Sequence, residues 1–205
     1  MVKTMDKERE AKIKKKLKES SVGIAGAGGL GSNAAVSLAR AGIGRLVIVD
    51  FDKVEKSNLN RQYYFTNQIG KIKVKALKDN IKKINPSVKV DIHKEKLVKG
   101  SMEKHFKDVD VIIEALDSAE MKTAFVEEIM HKLPKTPVIA ASGVAGYGNS
   151  ERIVTKKLGN LYMVYDADAK SSDEDVLMAP RAVSYTHLRA HETVLDLVCR
   201  LLLEK

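Results

Sequence analysis

A short apolar run, Ser21 to Gly26 (SVGIAG), breaks into a glycine-rich turn, Gly26-Ala27-Gly28-Gly29-Leu30-Gly31, and the turn runs on into a helix-forming stretch, Leu30 to Ala41. This succession constrains the chain more than any other feature. The turn satisfies G-x-G-x-x-G where the spacing has mechanical meaning. Glycines let the backbone bend tightly and approach phosphates, while the first N–H groups of the helix and the positive end of its dipole face the same space. Arg45 to Asp50 (RLVIVD) is a nearly continuous apolar run suited to a buried parallel strand. Asp50, nineteen residues past Gly31, is placed to accept hydrogen bonds from ribose hydroxyls. A nucleotide is expected here. The motif alone makes NAD-dependent oxidoreduction the default, and a glycine turn needed only for packing is the competing reading.

The alternation continues. Residues 5–19 read as a basic helix, and Thr66 can cap a helix over 67–84 that stops at Asn85-Pro86. Val88 to His93 alternates like a strand, and Val109 to Leu116 (VDVIIEAL) is a further apolar run. A helix over about 119–132 follows, and Pro134 and Pro137 bracket the turn into a fifth strand, Val138 to Ser142. Strands alternating with helices predict an α/β fold: a Rossmann-like, doubly wound, mostly parallel sheet with helices on both faces. The expected organisation is an N-terminal basic helix over 1–20, a nucleotide-binding domain over 21–182 and a C-terminal helical tail over 183–205.

Composition narrows the class. The 205 residues include one cysteine, Cys199, and no CxxC pair, so neither an internal disulfide nor a four-cysteine structural zinc site is expected. No apolar run approaches a membrane span, and the N-terminus lacks a signal-peptide apolar stretch, which predicts a cytoplasmic protein with no membrane partner. The net charge is +9, concentrated in residues 53–108, where fifteen basic side chains face six acidic ones. Such an excess draws nucleic acid, a nucleotide triphosphate or an acidic protein. No basic-aromatic interleaving of the kind that stacks bases is present, which argues against nucleic acid.

Asp50-Phe51-Asp52 leads into Ser57-Asn58-Leu59-Asn60-Arg61-Gln62, then Gly70-Lys71-Ile72-Lys73 and, later, Leu116-Asp117-Ser118. With GAGGLG, VDFDKVEKSNLNRQ, IGKIK, ALDSAE and VIAASGVAGYG, the chain from about residue 21 to Arg181 resembles the ThiF/MoeB/HesA family, bacterial relatives of ubiquitin-activating enzymes. The length and the string Met178 to Arg181 (MAPR) look most like a compact ThiF-type protein.

The resemblance implies an adenylyltransferase. Using ATP and Mg²⁺, it would activate the C-terminal glycine carboxylate of a small, acidic, ubiquitin-fold sulfur carrier, ThiS- or MoaD-like, as in thiamine biosynthesis. It further implies a homodimer. The nucleotide-binding set would be Gly26, Gly28, Gly29, Leu30, Gly31, Asp50, Asp52, Asn58, Arg61 and Lys73. Arg61 and Lys73 would contact the triphosphate, Asn58 a phosphate or the nucleotide, Asp50 the ribose, and Asp117 the magnesium; Arg61, Lys73 and Asp117 form the catalytic set. Lys71 and Lys75 compete with Lys73 for its role, and Asp52 serves either the loop or the metal. Arg9 would reach a neighbouring subunit's ATP; a solvated helix face is its other reading. A non-catalytic module that binds nucleotide or carrier is a third function class.

Departures from the family pattern matter as well. Many relatives carry a cysteine after the fifth strand, yet residues 143–181 hold none, and Leu161 to Asp166 occupies the place to look for one. An enzyme that stops at the acyl-adenylate is expected. The loop 166–175 (DADAKSSDED) reads as exposed. From Val183 the sequence no longer resembles the family and reads as foreign to it. His187 and His191 stand at helical spacing, but the leucines and valines of 188–202 predict an amphipathic packing helix.

Overall fold

Apolar runs that alternate with helices become the strands of one sheet: β1 (Ser21–Ala25), β2 (Arg45–Val49), β3 (Lys89–His93), β4 (Val111–Glu114), β5 (Val138–Ser142), β6 (Ile153–Leu158) and β7 (Leu161–Asp166). The computed structural model describes residues 2–142, 153–166 and 194–203. The sheet order is β3-β2-β1-β4-β5-β7-β6, and every pairing is parallel except β6 with β7. The helices are α1 (Val2–Glu19), α2 (Gly29–Ala41), α3 (Lys73–Ile84), α4 (Ala119–Lys132) and α5 (Val194–Leu203). The expected doubly wound, mostly parallel α/β architecture is therefore present.

The sheet buries both faces, which is why its strands read as continuous apolar runs. One face packs Ile24, Leu46 and Ile48 with Leu38 of α2 and Leu77 and Ile81 of α3. The other packs Val47, Val49 and Ile112 with Phe106 and with Phe125 and Ile129 of α4. Helix α1 stands mostly exposed but buries Leu17. Its end is tied to the sheet by the N–H of Gly44 donating to Leu17 O at 2.9 Å. Helix α5 holds the described part of the tail, with Val198 and Leu202 in the core against β4, β5, α1 and α2, while 188–193 of the expected packing helix lie outside the described residues. Among the described residues, no helix is long and apolar enough to cross a membrane.

Two expectations are corrected. The helix predicted over 67–84 begins only at Lys73. Thr66–Gln68 forms a separate 3₁₀ turn, after which Gly70 takes φ +84°. The chain there pairs back on Val54: Gly70 N donates to Val54 O, and Val54 N to Lys71 O, both at 2.8 Å. These long-range bonds outcompete the helix that Thr66 would cap. Among the described residues the sheet also has seven strands where five are predicted. The missed pair, β6 and β7, is a hairpin turned at Gly159-Asn160, and Leu161 to Asp166 is its second strand. The DADAKSSDED loop beyond Asp166, the MAPR string, and His187 with His191 lie outside the described residues.

Candidate functional site

Strand order reverses between β1 and β4, and in an open α/β sheet the crevice beyond the C-terminal ends of such strands is where ligands bind. The glycine turn occupies that point. Gly26 has φ +101°, and a Cβ there would overlap the carbonyl oxygen of Ala115, the residue just after β4. A Cβ on Gly31 would strike the carbonyl oxygen of Gly26. These two glycines bring strand, turn and helix together. Gly28 differs: among the described residues, the nearest atom to its missing Cβ is Gln62 Nε2, at 3.9 Å. The space above Gly28 is thus open for a ligand to approach the backbone.

Residues 61–64 are strapped over the turn and the start of α2. Asn33 Nδ2 donates to Gly29 O (2.6 Å) and Arg61 O (2.9 Å). Ser32 Oγ donates to Gly28 O and accepts from Tyr63 N (3.0 Å). The Tyr64 hydroxyl donates to Ala27 O at 2.8 Å. Burial, and secondarily Asp50 and Asp52, push the Tyr64 phenol well above its usual range, so it stays a donor. Tyr64→Phe leaves the buried Ala27 carbonyl without that donor. The variant is expected to lose about 1–3 kcal/mol in denaturant unfolding; an unchanged midpoint with an unchanged slope would show that the strap carries no weight.

Asp50 sits at the end of β2 as expected, and its carboxylate already ties the turn to the following loop. Oδ2 accepts from Ala27 N (2.6 Å) and Oδ1 from Asp52 N (2.8 Å). Burial pushes its carboxyl up, opposed by those two N–H groups and by Lys73. Lys73 opens α3, where its N–H donates to Asp52 O and its Nζ to Asp52 Oδ2, each at 2.9 Å. Lys73 is buried while Lys71 and Lys75 are exposed, so of the three competitors Lys73 is the one drawn beneath the loop.

Arg61 is half-buried, its guanidinium resting on Ser57 O (3.2 Å) and Asn60 Oδ1 (2.9 Å). Asn58 is buried and serves the loop itself, its Oδ1 accepting from Glu55 N at 3.1 Å. Asp117 stands exposed beyond β4, with Oδ1 accepting from Ser118 N. No described hydrogen bond or ion pair joins Asp117 to Arg61 or Lys73. Arg9 is exposed on α1. Gly29 and Leu30 open α2 beside the turn. The structure thus gathers the glycine turn, Asp50, Asp52, Arg61 and Lys73 into one bonded unit, with Asp117 on the adjoining turn.

Sequence reasoning missed Ser32, Asn33 and Tyr64, although a polar Ser-Asn pair in an otherwise small and apolar helix start was a usable signal. It also missed the buried Glu114 and its half-buried partner Lys122. Gln62 was quoted without a role; its side-chain oxygen is buried with no partner among the described residues. Among those residues, no group of three or more His, Cys, Asp or Glu is placed to hold a metal. A single exposed carboxylate such as Asp117 fits an ion that takes its remaining ligands from phosphates and water.

Comparison with known proteins settles the family. The model described as "ThiF family" matches residues 3–190. The chain belongs to the ThiF family. Among its relatives in that family, ubiquitin-like modifier-activating enzyme 5 of Caenorhabditis elegans is 44% identical over 78 residues, covering 38% of this chain and 19% of that protein. The adenylyltransferase and sulfurtransferase uba4 of Aspergillus niger is 37% identical over 134 residues, covering 65% and 27% respectively. This ThiF-family chain therefore spans under a third of either protein's length. Escherichia coli tRNA N6-threonylcarbamoyladenosine dehydratase, TcdA, solved in complex with AMP, shares the fold with a TM-score of 0.81 at 20% identity, covering 94% of this chain and 88% of that one.

Proposed function

We propose that this chain is an ATP-dependent adenylyltransferase acting on the C-terminal glycine carboxylate of a small ubiquitin-fold sulfur carrier, ThiS- or MoaD-like. One observation carries the reading above all: the loop that brings Arg61 and Lys73 is bonded directly to the glycine turn at the switch point. A dinucleotide oxidoreductase has no evident task for those cations. The relatives named adenylyltransferases and the AMP-bound structural neighbour support the nucleotide and the chemistry.

In this reaction, a carboxylate oxygen of the carrier attacks the α-phosphorus of ATP, an O–P bond forms, the α–β anhydride bond breaks, and pyrophosphate leaves. The carboxylate is ionised at pH 7, so the protein need not remove a proton. What it supplies is alignment and charge. The open backbone at Gly28 and the α2 N-terminus receive phosphate. Arg61 offers a planar fork of donors and Lys73 a compact movable charge to the triphosphate oxygens. Asp50 keeps its remaining acceptor capacity for ribose. Asp117 would hold Mg²⁺, which neutralises phosphate charge when bound. Residues 143–181 hold no cysteine, where many relatives carry one, and the reading therefore runs as far as the acyl-adenylate. A cytoplasmic homodimer serving sulfur transfer, as in thiamine biosynthesis, completes it, with the exposed Arg9 on a solvated face of α1.

Calorimetry separates the classes: ATP with Mg²⁺ is expected to bind more tightly than NAD, and the reverse order would overturn the reading. Exchange of labelled pyrophosphate into ATP that depends on an added carrier separates an enzyme from a binding module. Lys53, Lys56, Lys71, Lys75, Lys82 and Lys83 are exposed, so carrier association is expected to weaken steeply with added salt. A salt-independent affinity would remove charge as the basis of recognition.

A further inference from the structure

Glu114 is the last residue of β4 and is 1% exposed, although it lies in a run that reads as apolar. Its partner, Lys122, stands one turn into α4. Lys122 Nζ donates to both Glu114 oxygens (3.1 and 3.0 Å) and to Ala141 O of β5 (3.1 Å), which uses all three of its donors. Glu114 Oε1 also accepts from Leu116 N at 2.6 Å. Between the two charges lie only Ala115 to Ser118 and the first residues of α4. Ser118 caps that helix, and its carbonyl accepts from Lys122 N. One ion pair, its carboxylate buried and its ammonium half-buried, therefore spans the inner side of a four-residue turn and ties it to two strands.

That turn forms a wall of the nucleotide site. Ala115 N donates to Ala25 O at 2.8 Å, and the Ala115 carbonyl fills the place of a side chain at Gly26. Two residues on stands Asp117. Stability is a weak reason for such a pair, because desolvating Glu114 fully and Lys122 in part offsets most of what their attraction returns. Burial pushes the Glu114 carboxyl up, and Lys122 opposes that shift.

We infer that Glu114 and Lys122 are positioning residues for nucleotide binding, holding the β4–α4 turn in register with the glycine bend. This rests on the adenylating reading above. The test is calorimetric titration of ATP with Mg²⁺ into the full-length wild type, Lys122→Met, Glu114→Gln and Lys122→Arg, with an unfolding curve for each. Lys122→Met and Glu114→Gln are expected to weaken ATP binding tenfold or more while folded, and Lys122→Arg to weaken it less than Lys122→Met does, because it keeps the charge although a planar guanidinium replaces the compact ammonium. If Lys122→Met does not fold, Glu114→Gln, which keeps its shape, is read in its place. Lowered unfolding midpoints with unchanged ATP affinity would make the pair a stability element and overturn the inference, as would failure of both neutralised forms to fold. A wild type that binds no ATP overturns the adenylating reading and this inference together.

Discussion

Lys73→Ala is expected to lower carrier-dependent pyrophosphate exchange by about 10²- to 10³-fold, the scale on which one charge-stabilising donor acts at a reacting phosphate. Three cations compete within five residues, and burial separates them. Lys71 and Lys75 are solvated, whereas Lys73 is 6% exposed and sits against Asp52 beneath the strapped loop. A charge held away from water loses less of its field to the solvent, so the buried ammonium has the larger effect on developing phosphate charge. The fold tolerates its removal, because the Asp52 side chain remains 40% exposed and hydrated when its partner is gone. The rate should therefore fall without a matching loss of stability. Lys71→Ala and Lys75→Ala, assayed at saturating carrier, are the internal controls, expected within about twofold of the wild-type rate, as exposed charges contribute little. If Lys73→Ala exchanged at near wild-type rate while either control collapsed, the triphosphate would belong to the solvated lysine. Arg61→Ala is expected to fall on the same scale as Lys73→Ala, its guanidinium being the only cation of the strap that crosses the glycine turn.

The parallel strands were legible because both faces of the sheet are covered, so Ser21 to Ala25 and Arg45 to Val49 could only be apolar. The glycine turn was legible because its spacing is local. What escaped was set by distant partners. Thr66 is a sound local helix cap, yet Val54 decides where α3 begins. Tyr64 reads as a core aromatic until its hydroxyl meets Ala27, thirty-seven positions away. Asn58 reads as a nucleotide contact, but its side chain is also the element that closes its own turn. Glu114 is hidden in VIIEAL because its neutralising lysine lies eight residues on. The hairpin β6–β7 was the avoidable miss, since Gly-Asn between two alternating runs is a hairpin signal in its own right.

Alanine at three glycines of the turn is expected to separate folding from nucleotide binding. At Gly31 the new methyl meets the backbone oxygen of Gly26, which no rotamer can move aside. At Gly26 it meets the Ala115 carbonyl, on a backbone with φ +101° that costs an L-residue a further 1–2 kcal/mol or so. Overpacking against backbone typically costs about 1–3 kcal/mol or more. At roughly 2–4 °C per kcal/mol for a chain of this size, Gly31→Ala should melt about 2–12 °C below wild type and Gly26→Ala about 4–20 °C below it. Gly28 has φ −80° and no described atom nearer than 3.9 Å to the added methyl, so Gly28→Ala should melt within a few degrees of wild type. Its methyl instead projects into the space where phosphate would meet the helix start, and ATP affinity measured by calorimetry is expected to fall at least tenfold. A Gly28→Ala protein that binds ATP as wild type does would place the phosphates away from this bend. A Gly31→Ala protein with wild-type melting would show that strand and helix can part without cost, which their shared backbone contact forbids.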